Sequence, residues 1–376
     1  MMKSFDGLGL LLVCGVAALS AAAYDSFRPG QEWLDTDGKP IQAHGGSIIV
    51  VDGTYYWYGE NKEKTDDVTP FGKGRVWHWG VNLYSSKDLY NWRHEGNVIP
   101  PDLRDETSPL HPTSFMDRPH ILYNAQTRKF VCWLKIMSVS DGQTETVLTA
   151  DSIKGPWTMV RRGLRPCGMS AGDFDLVVAD DGKAYYYFER VHSELICADL
   201  TDDYTDVTGY YSTHFPQVAP PYVREAPAHF LRGGKHYLIT SGTTGYCPNP
   251  SEVAVADTWH GPWTVLGNPH PGDESRTSYH SQVTSVFKVP GRDLYIALAD
   301  RWMPDFTDLT YAETEAMYRK WFGQPFDAKL VEGYEKKVKG RPVPTQKARY
   351  VWLPVVFKNG VPTLDWRDEW RLEDCP

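Results

Sequence analysis

Five polar side chains recur at nearly constant intervals along the sequence: Glu60, Asp117, Asp173, Glu225 and Gln282, separated by 57, 56, 52 and 57 residues. Four carboxylates and an amide spaced this evenly do chemistry only where a fold brings them to one place. Together they suit hydrolysis of a glycosidic bond. That reaction needs a carboxylic acid to protonate the leaving oxygen and, in its inverting form, a second group on the opposite face to activate water. A carboxyl stays protonated near neutral pH where burial or a neighbouring carboxylate raises its pKa. Glu225, with Asp173 as neighbour, meets that requirement. Taken singly, each residue has a plainer reading. Asp117 precedes Arg118 and Glu225 follows Arg224, so each has an ion-pair partner beside it, and Asp175 competes with Asp173 as a turn cap. The common phase sets the five apart.

The elements that must position them share the period. An apolar run, a short turn and a second β-rich run occur at 47–51 and 54–58, 120–123 and 129–135, 174–178 and 183–188, 228–231 and 235–240, and 283–289 and 293–299. An outer-strand signature follows several of these hairpins, ending in Trp92, Trp157 or Trp263, and each Trp is expected to pack on the next unit. With 13% aromatics and 32 Gly and 27 Pro as punctuation, the chain reads as all-β. Five four-stranded units of roughly 60–70 residues account for it as a five-bladed β-propeller. Residues 361–372 are expected to close the ring by pairing near Trp33, and 312–339 reads as a charged, helix-capable insertion. In a propeller the ends of the innermost strands face the central channel, so residues recurring once per blade converge there. Trp79, Trp133, Tyr246 and Trp302 lie near the same strand ends and are candidates to stack on sugar faces.

The net charge of −9 argues against nucleic acid or an anionic membrane as partner. Residues 1–23 read as a signal peptide, with an apolar run at 8–19 shorter than the roughly 20 residues a bilayer requires, so a secreted or periplasmic domain over 24–376 is expected. Past the leader the cysteines are Cys132, Cys167, Cys197, Cys247 and Cys375, an odd set without a CxxC pair that reads neither as a zinc site nor as a disulfide framework. No carboxylate-rich loop has calcium spacing. The expectation is a monomer without cofactor or metal, whose partner is an oligo- or polysaccharide.

The motifs His44-Gly45-Gly46, Tyr55-Tyr56-Trp57-Tyr58-Gly59-Glu60, Asp117-Arg118-Pro119, Gly172-Asp173, Arg224-Glu225-Ala226-Pro227, Thr243-Thr244-Gly245-Tyr246, Ser281-Gln282, Asp300-Arg301-Trp302 and Tyr350-Val351-Trp352-Leu353-Pro354 follow one another in this order. Over about residues 33–370 they resemble glycoside hydrolase family 43, in its exo-β-1,3-galactanase branch. The resemblance implies a five-bladed propeller, inversion at the anomeric carbon, Glu225 as general acid and Asp173 as the carboxylate that tunes and positions it. It also implies that Glu60 binds hydroxyls of a terminal galactose. Asp117 stands where the galactanases carry glutamate, one methylene short of their reach toward an axial O4. Most of the family places an aspartate base in an Ala-Asp-Pro-like motif on the first blade. Here Ala43-His44-Gly45-Gly46 occupies that stretch, and His44 reads either as a helper in the site or as a turn residue. The galactanase branch shares this loss and has a glutamine where Gln282 sits, which holds the water or acts through an imidic tautomer. Propellers of the family often hold a cation or water in the channel, so calcium there stays open.

The expected activity is exo-hydrolysis of β-1,3-galactan with inversion, in a pocket bounded by long loops at 64–76 and 102–116. An α-L-arabinofuranosidase or a β-xylosidase is the alternative within the family. From another class, a non-catalytic carbohydrate-binding propeller would repeat one motif in every blade, whereas here each blade supplies a different one.

Overall fold

The computed structural model describes residues 23–65, 75–137, 142–338, 341 and 343–375. The leader read over residues 1–23 lies outside them except for Ala23, as does most of the loop at 64–76. Each hairpin inferred from the period grows into an antiparallel sheet. The first comprises His44–Val51, Thr54–Glu60, Val81–Ser86 and Arg93–Ile99. Among the described residues three more four-stranded blades follow, with innermost strands Phe115–Asn124, Ala171–Val178 and Arg224–Arg232. The fifth blade begins with Gln282–Lys288 and Tyr295–Arg301, and its third strand is two short pieces, Arg349–Tyr350 and Leu353–Pro354. The innermost strands touch in turn around a ring, the fifth meeting the first.

Apolar faces of neighbouring blades bury one another between them. Trp92, Trp157 and Trp263 belong to these interfaces, but each packs on the preceding blade, not the next. Trp92 lies among Leu298 and Ile296 of the fifth blade, Trp157 against the first, and Trp263 meets Tyr187 of the third edge-on at 6.1 Å. Trp133 likewise belongs to the core, where it is fully buried and donates Nε1–H to the Tyr204 carbonyl at 2.8 Å.

Ring closure uses the N-terminal segment at a different point from the expected one. Phe27 and Trp370 exchange backbone hydrogen bonds of 2.8 and 3.0 Å, and Gly30 N–H donates to the Tyr350 carbonyl at 2.7 Å. Val361–Thr363 instead folds back on Val356–Lys358 as a separate hairpin. Trp33 serves the seam as packing, edge-on to Phe27 and Trp352. Trp370 is 1% exposed, stacks on Phe27 at 4.3 Å and donates Nε1–H to the Trp352 carbonyl at 2.9 Å. Trp370→Ala should therefore cost about 3–5 kcal/mol, as large-to-small substitutions in a core do. Urea unfolding at constant slope would measure it, and a cost below about 1 kcal/mol would show that the seam does not rest on this ring.

Chain direction gives the propeller two different faces. Each innermost strand starts at the face where the second strand ends, as the pairs His44 with Glu60 and Gln282 with Asp300 show. Loops between second and third strands therefore emerge beside the candidate residues. The longest described excursion there leaves the fifth blade after Arg301 and carries two helices, α1 (Tyr311–Trp321) and α2 (Ala328–Val338), where the sequence suggested helical character. Thr310 and Glu313 cap α1 reciprocally, satisfying backbone N–H groups at its start.

Candidate active site

Glu60 lies at the end of a second strand, whereas Asp117, Asp173, Glu225 and Gln282 lie at or near the starts of innermost strands. All five join one contact network at the mouth of the channel. Local backbone irregularity helps to aim them. A β-bulge follows His44, Asp117 and Glu225, and the next residue takes a left-handed conformation each time: Gly45 (φ 62), Arg118 (φ 53) and Ala226 (φ 48). A bulge upsets strict alternation and re-aims the flanking side chains. A proline could not adopt the Gly45 conformation, and a Cβ there would stand 2.5 Å from Glu60 Oε1. The first blade therefore departs in backbone, as well as in residue type, from an Ala-Asp-Pro arrangement.

Arg118 is the hub. Its backbone N–H donates to Glu60 Oε1 at 2.9 Å, while Nη2 reaches Asp173 Oδ2 at 2.9 Å and Gln282 Oε1 at 2.8 Å. A guanidinium only donates, so the amide atom facing it must be oxygen. Gln282 Nε2 then donates to Ser241 Oγ at 2.8 Å and to Glu225 Oε1 at 3.3 Å. Arg118 Nη1 is buried and has no protein partner.

Two buried lysines complete the network. Lys62 Nζ lies 2.6 Å from Glu60 Oε2 and 3.6 Å from Asp117 Oδ1, and donates to the Trp77 carbonyl at 3.0 Å. Lys135 Nζ lies 2.5 Å from Asp173 Oδ1 and 3.6 Å from Asp117 Oδ2. Asp117 also accepts Trp77 Nε1–H at 2.8 Å. Behind Lys135 and directly opposite it in register stands Glu145, to which the Tyr186 hydroxyl donates at 2.9 Å. Burial pushes the Glu145 carboxyl well above the carboxylate range.

The carboxyls consequently differ in character. Burial opposes ionisation of Asp173, but Arg118 and Lys135 outweigh it and hold that carboxyl below its ordinary value. Burial also acts on Glu225, where the charges of Asp173 and Glu189 add to it and those of Lys135 and Arg118 do not cancel it. Its pKa rises well above the ordinary value. Glu60 is raised by burial, with Lys62 pulling against it.

Over these groups lies an aromatic wall. Tyr246, half-buried, stacks toward Trp77 at 6.0 Å and tilts against Trp302 at 5.1 Å, and Asp117 and Glu60 lie near enough to raise its phenol further after burial has done so. Trp302 is 7% exposed. His44 stands behind the wall, fully buried, its Nδ1 2.9 Å from Asp300 Oδ1 and its Nε2 3.4 Å from the Tyr350 hydroxyl. It holds the end of the first strand and presents no open face. Trp79 lies under Lys64 Nζ at 4.2 Å.

The arginines that looked like strand-neighbour ion-pair partners are not so used. Arg224 turns to Thr240, donating to its hydroxyl at 2.9 Å and its carbonyl at 2.7 Å. Sequence reasoning did not find Lys62, Lys135, Ser241 or Glu145. A signal existed for Lys135, a cation flanked on both sides by apolar residues within the strand Lys129–Met137. Deeper in the channel His120 Nδ1 and Asp175 Oδ1 lie 3.2 Å apart, and Asp175 Oδ2 accepts His229 N–H at 2.6 Å. Among the described residues no group of three His, Cys, Asp or Glu has the spacing to hold a metal, and no disulfide forms.

A raised acid beside an ion-paired carboxylate, at the mouth of a five-bladed propeller, is the construction of a glycoside hydrolase. The chain belongs to glycosyl hydrolases family 43, whose sequence profile matches residues 39–312. Two solved family-43 β-1,3-galactosidases resemble it at TM-score 0.72. One is 30% identical over 93% of this chain and 64% of its own. The other, solved with galactodeoxynojirimycin, is 29% identical over 92% of this chain and 100% of its own. An exo-β-1,3-galactanase from Clostridium thermocellum is 26% identical at TM-score 0.68, over 92% of this chain and 66% of that one. The chain spans 20% and 50% of the lengths of the curated relatives it matches, both named for β-xylosidase activity.

Proposed function

We propose that the protein is an exported, inverting exo-hydrolase that removes terminal galactose from β-1,3-galactan, with Glu225 as general acid. The observation that carries this reading is the contrast between neighbours: Glu225 raised, Asp173 held ionised by Lys135 and Arg118. The galactosidase relatives support the choice of sugar.

In this mechanism galactose rests under Tyr246, with Glu60, Asp117 and Arg118 Nη1 facing its hydroxyls. Glu225 delivers its proton to the departing oxygen. Gln282, with Oε1 held by Arg118 and Nε2 donating to Ser241 and Glu225, is an amide that holds water near the anomeric carbon, its second Oε1 lone pair being left to accept from that water. The ion pairs favour the inverting course. A retaining enzyme needs a second carboxylate free to attack carbon, and Glu60, Asp117 and Asp173 are each within 3.6 Å of a buried cation. Proton NMR during turnover of β-1,3-galactobiose should show α-galactose first. Initial β-galactose would reject inversion, and release of xylose or arabinose alone from a glycan panel would reject the galactanase assignment.

The acid must be protonated to work, so kcat/KM should hold at low pH and fall as pH rises through the Glu225 pKa. Asp173→Asn removes a charge that raises that pKa and frees two cations that lower it. The alkaline limb should move down by about one pH unit or more. An unmoved limb would separate Asp173 from control of the acid.

A further inference from the structure

The α1–α2 hairpin begins where the family match ends, at residue 312, and it emerges on the same face as the carboxylates. It is fastened to the segment that leads into the strand bearing Glu225. Gln324 Nε2 donates to the Pro220 carbonyl at 2.8 Å, and the Tyr222 hydroxyl donates to Glu315 at 2.7 Å. The Tyr318 hydroxyl lies 3.0 Å from where a Cβ on Gly245 would stand, next to Tyr246. Burial holds the Tyr318 phenol well above its ordinary value, and the Glu225 carboxyl is close enough to add to that effect. The C-terminal end of α1 is thus a fixed rim beside the acid.

That rim carries apolar surface that the fold leaves uncovered. Trp321 is 57% exposed and Phe322 38%, although both lie among aromatic neighbours that fix them. Trp321 is edge-on to Tyr318 at 4.9 Å. Phe322 meets His192 edge-on at 5.4 Å, and His192 is anchored to Glu189, the second carboxylate whose charge acts on Glu225. Tyr318 and Glu189, whose electrostatics are linked with those of Glu225, thus lead outward by direct contact to Trp321 and, through His192, to Phe322. Adjacent aromatic rings left exposed on a rim fastened beside a site offer a surface for ligand contact. On the acid's side of an exo-hydrolase the ligand is the leaving chain, because the acid protonates the oxygen that joins it to the departing sugar.

We propose that Trp321 and Phe322, with the edge of His192, form a stacking platform for the sugar units on the leaving-group side of the scissile bond. This rests on Glu225 being the acid. The platform makes chain-length preference a property of the helical hairpin, separate from recognition of the terminal sugar by the channel residues.

The test compares two substrates with the same terminal sugar. β-Galactosyl fluoride has no leaving sugar, and β-1,3-galactohexaose has a chain of them. Trp321→Ala/Phe322→Ala should lower kcat/KM for the hexaose about tenfold, the loss of two ring contacts, with less than a twofold change on the fluoride. Equal losses on both substrates, or an unchanged hexaose value, would overturn the platform. Because both rings are exposed, the variant should keep its thermal midpoint within a degree or two; a larger fall shifts the comparison to Trp321→Ala alone, judged by the same ratio. If the parent enzyme releases nothing from the hexaose, the galactan reading fails independently. The platform is then judged on the oligosaccharide it does cleave, by whether the double variant abolishes the rate gained from chain length.

Discussion

Glu225→Gln should lower kcat on β-1,3-galactobiose by at least about a thousandfold while the protein stays folded and binds galactose. General acid catalysis by a placed side chain is worth about 10²–10⁴ in rate, and an unactivated sugar leaving group needs its proton. The substitution keeps the side chain's shape and an oxygen able to accept from Gln282. It should also stabilise the protein. The Glu225 pKa is raised on folding, so the folded form holds a proton that the unfolded form releases above its ordinary value. Parent stability is then unaffected by this group below about pH 4 and declines as pH rises toward the folded pKa. Glutamine does not titrate, so the variant's melting temperature should equal or exceed the parent's near pH 4 and lead it increasingly above pH 5. Turnover within tenfold of the parent would remove Glu225 from the role of acid. A variant that loses its stability lead as pH rises would contradict the buried, protonated carboxyl.

Arg118→Met should damage stability and activity together. One guanidinium holds Asp173 and Gln282 at once, and its removal leaves Asp173 to Lys135 alone and the Gln282 oxygen without its donor. Breaking a buried ion pair from one side costs about 3–5 kcal/mol, because the abandoned charge stays out of water. Loss of kcat/KM should exceed a hundredfold, since the water-holding amide and the carboxylate behind the acid both lose their fixed positions. Arg118→Lys should recover part of the stability and little of the activity, for an ammonium is a single point where the guanidinium is a planar fork. Chemical unfolding and steady-state kinetics on the two variants separate these outcomes. Parent-like activity in Arg118→Lys would show that charge alone matters there.

The architecture was legible because a propeller writes its period into the chain. Hairpins, five-fold phase and helical insertion all follow from patterns that survive without tertiary context. Strand starts did not. Bulges after His44, Asp117 and Glu225 interrupt alternation, so the apolar runs begin several residues inside the true strands His44–Val51, Phe115–Asn124 and Arg224–Arg232. The same bulges misled the ion-pair reading: Arg118 reaches to Asp173 on the next blade instead of turning to Asp117. Lys62 and Lys135 were missed because they belong to no phase. They are counter-charges that crowded carboxylates require once buried, and that requirement appears only when the carboxylates are seen together. Placement of the seam failed for a related reason, since pairing across 343 residues, as between Ser26 and Glu369, leaves no local trace.

That seam also bears on the order of events during folding. With Phe27 bridged to Trp370, the earliest described residues have no strand partner until the last part of the chain has been made. Four blades can form beforehand, each from contiguous sequence, but the edge of the fifth at Tyr350 lacks its hydrogen bond from Gly30 until the two distant segments meet. Contacts of such long range slow folding, and a waiting strand edge is a template for pairing between molecules. Refolding yield should therefore be limited by a late, concentration-sensitive step, and dilution should raise recovery more than any change that strengthens an individual blade.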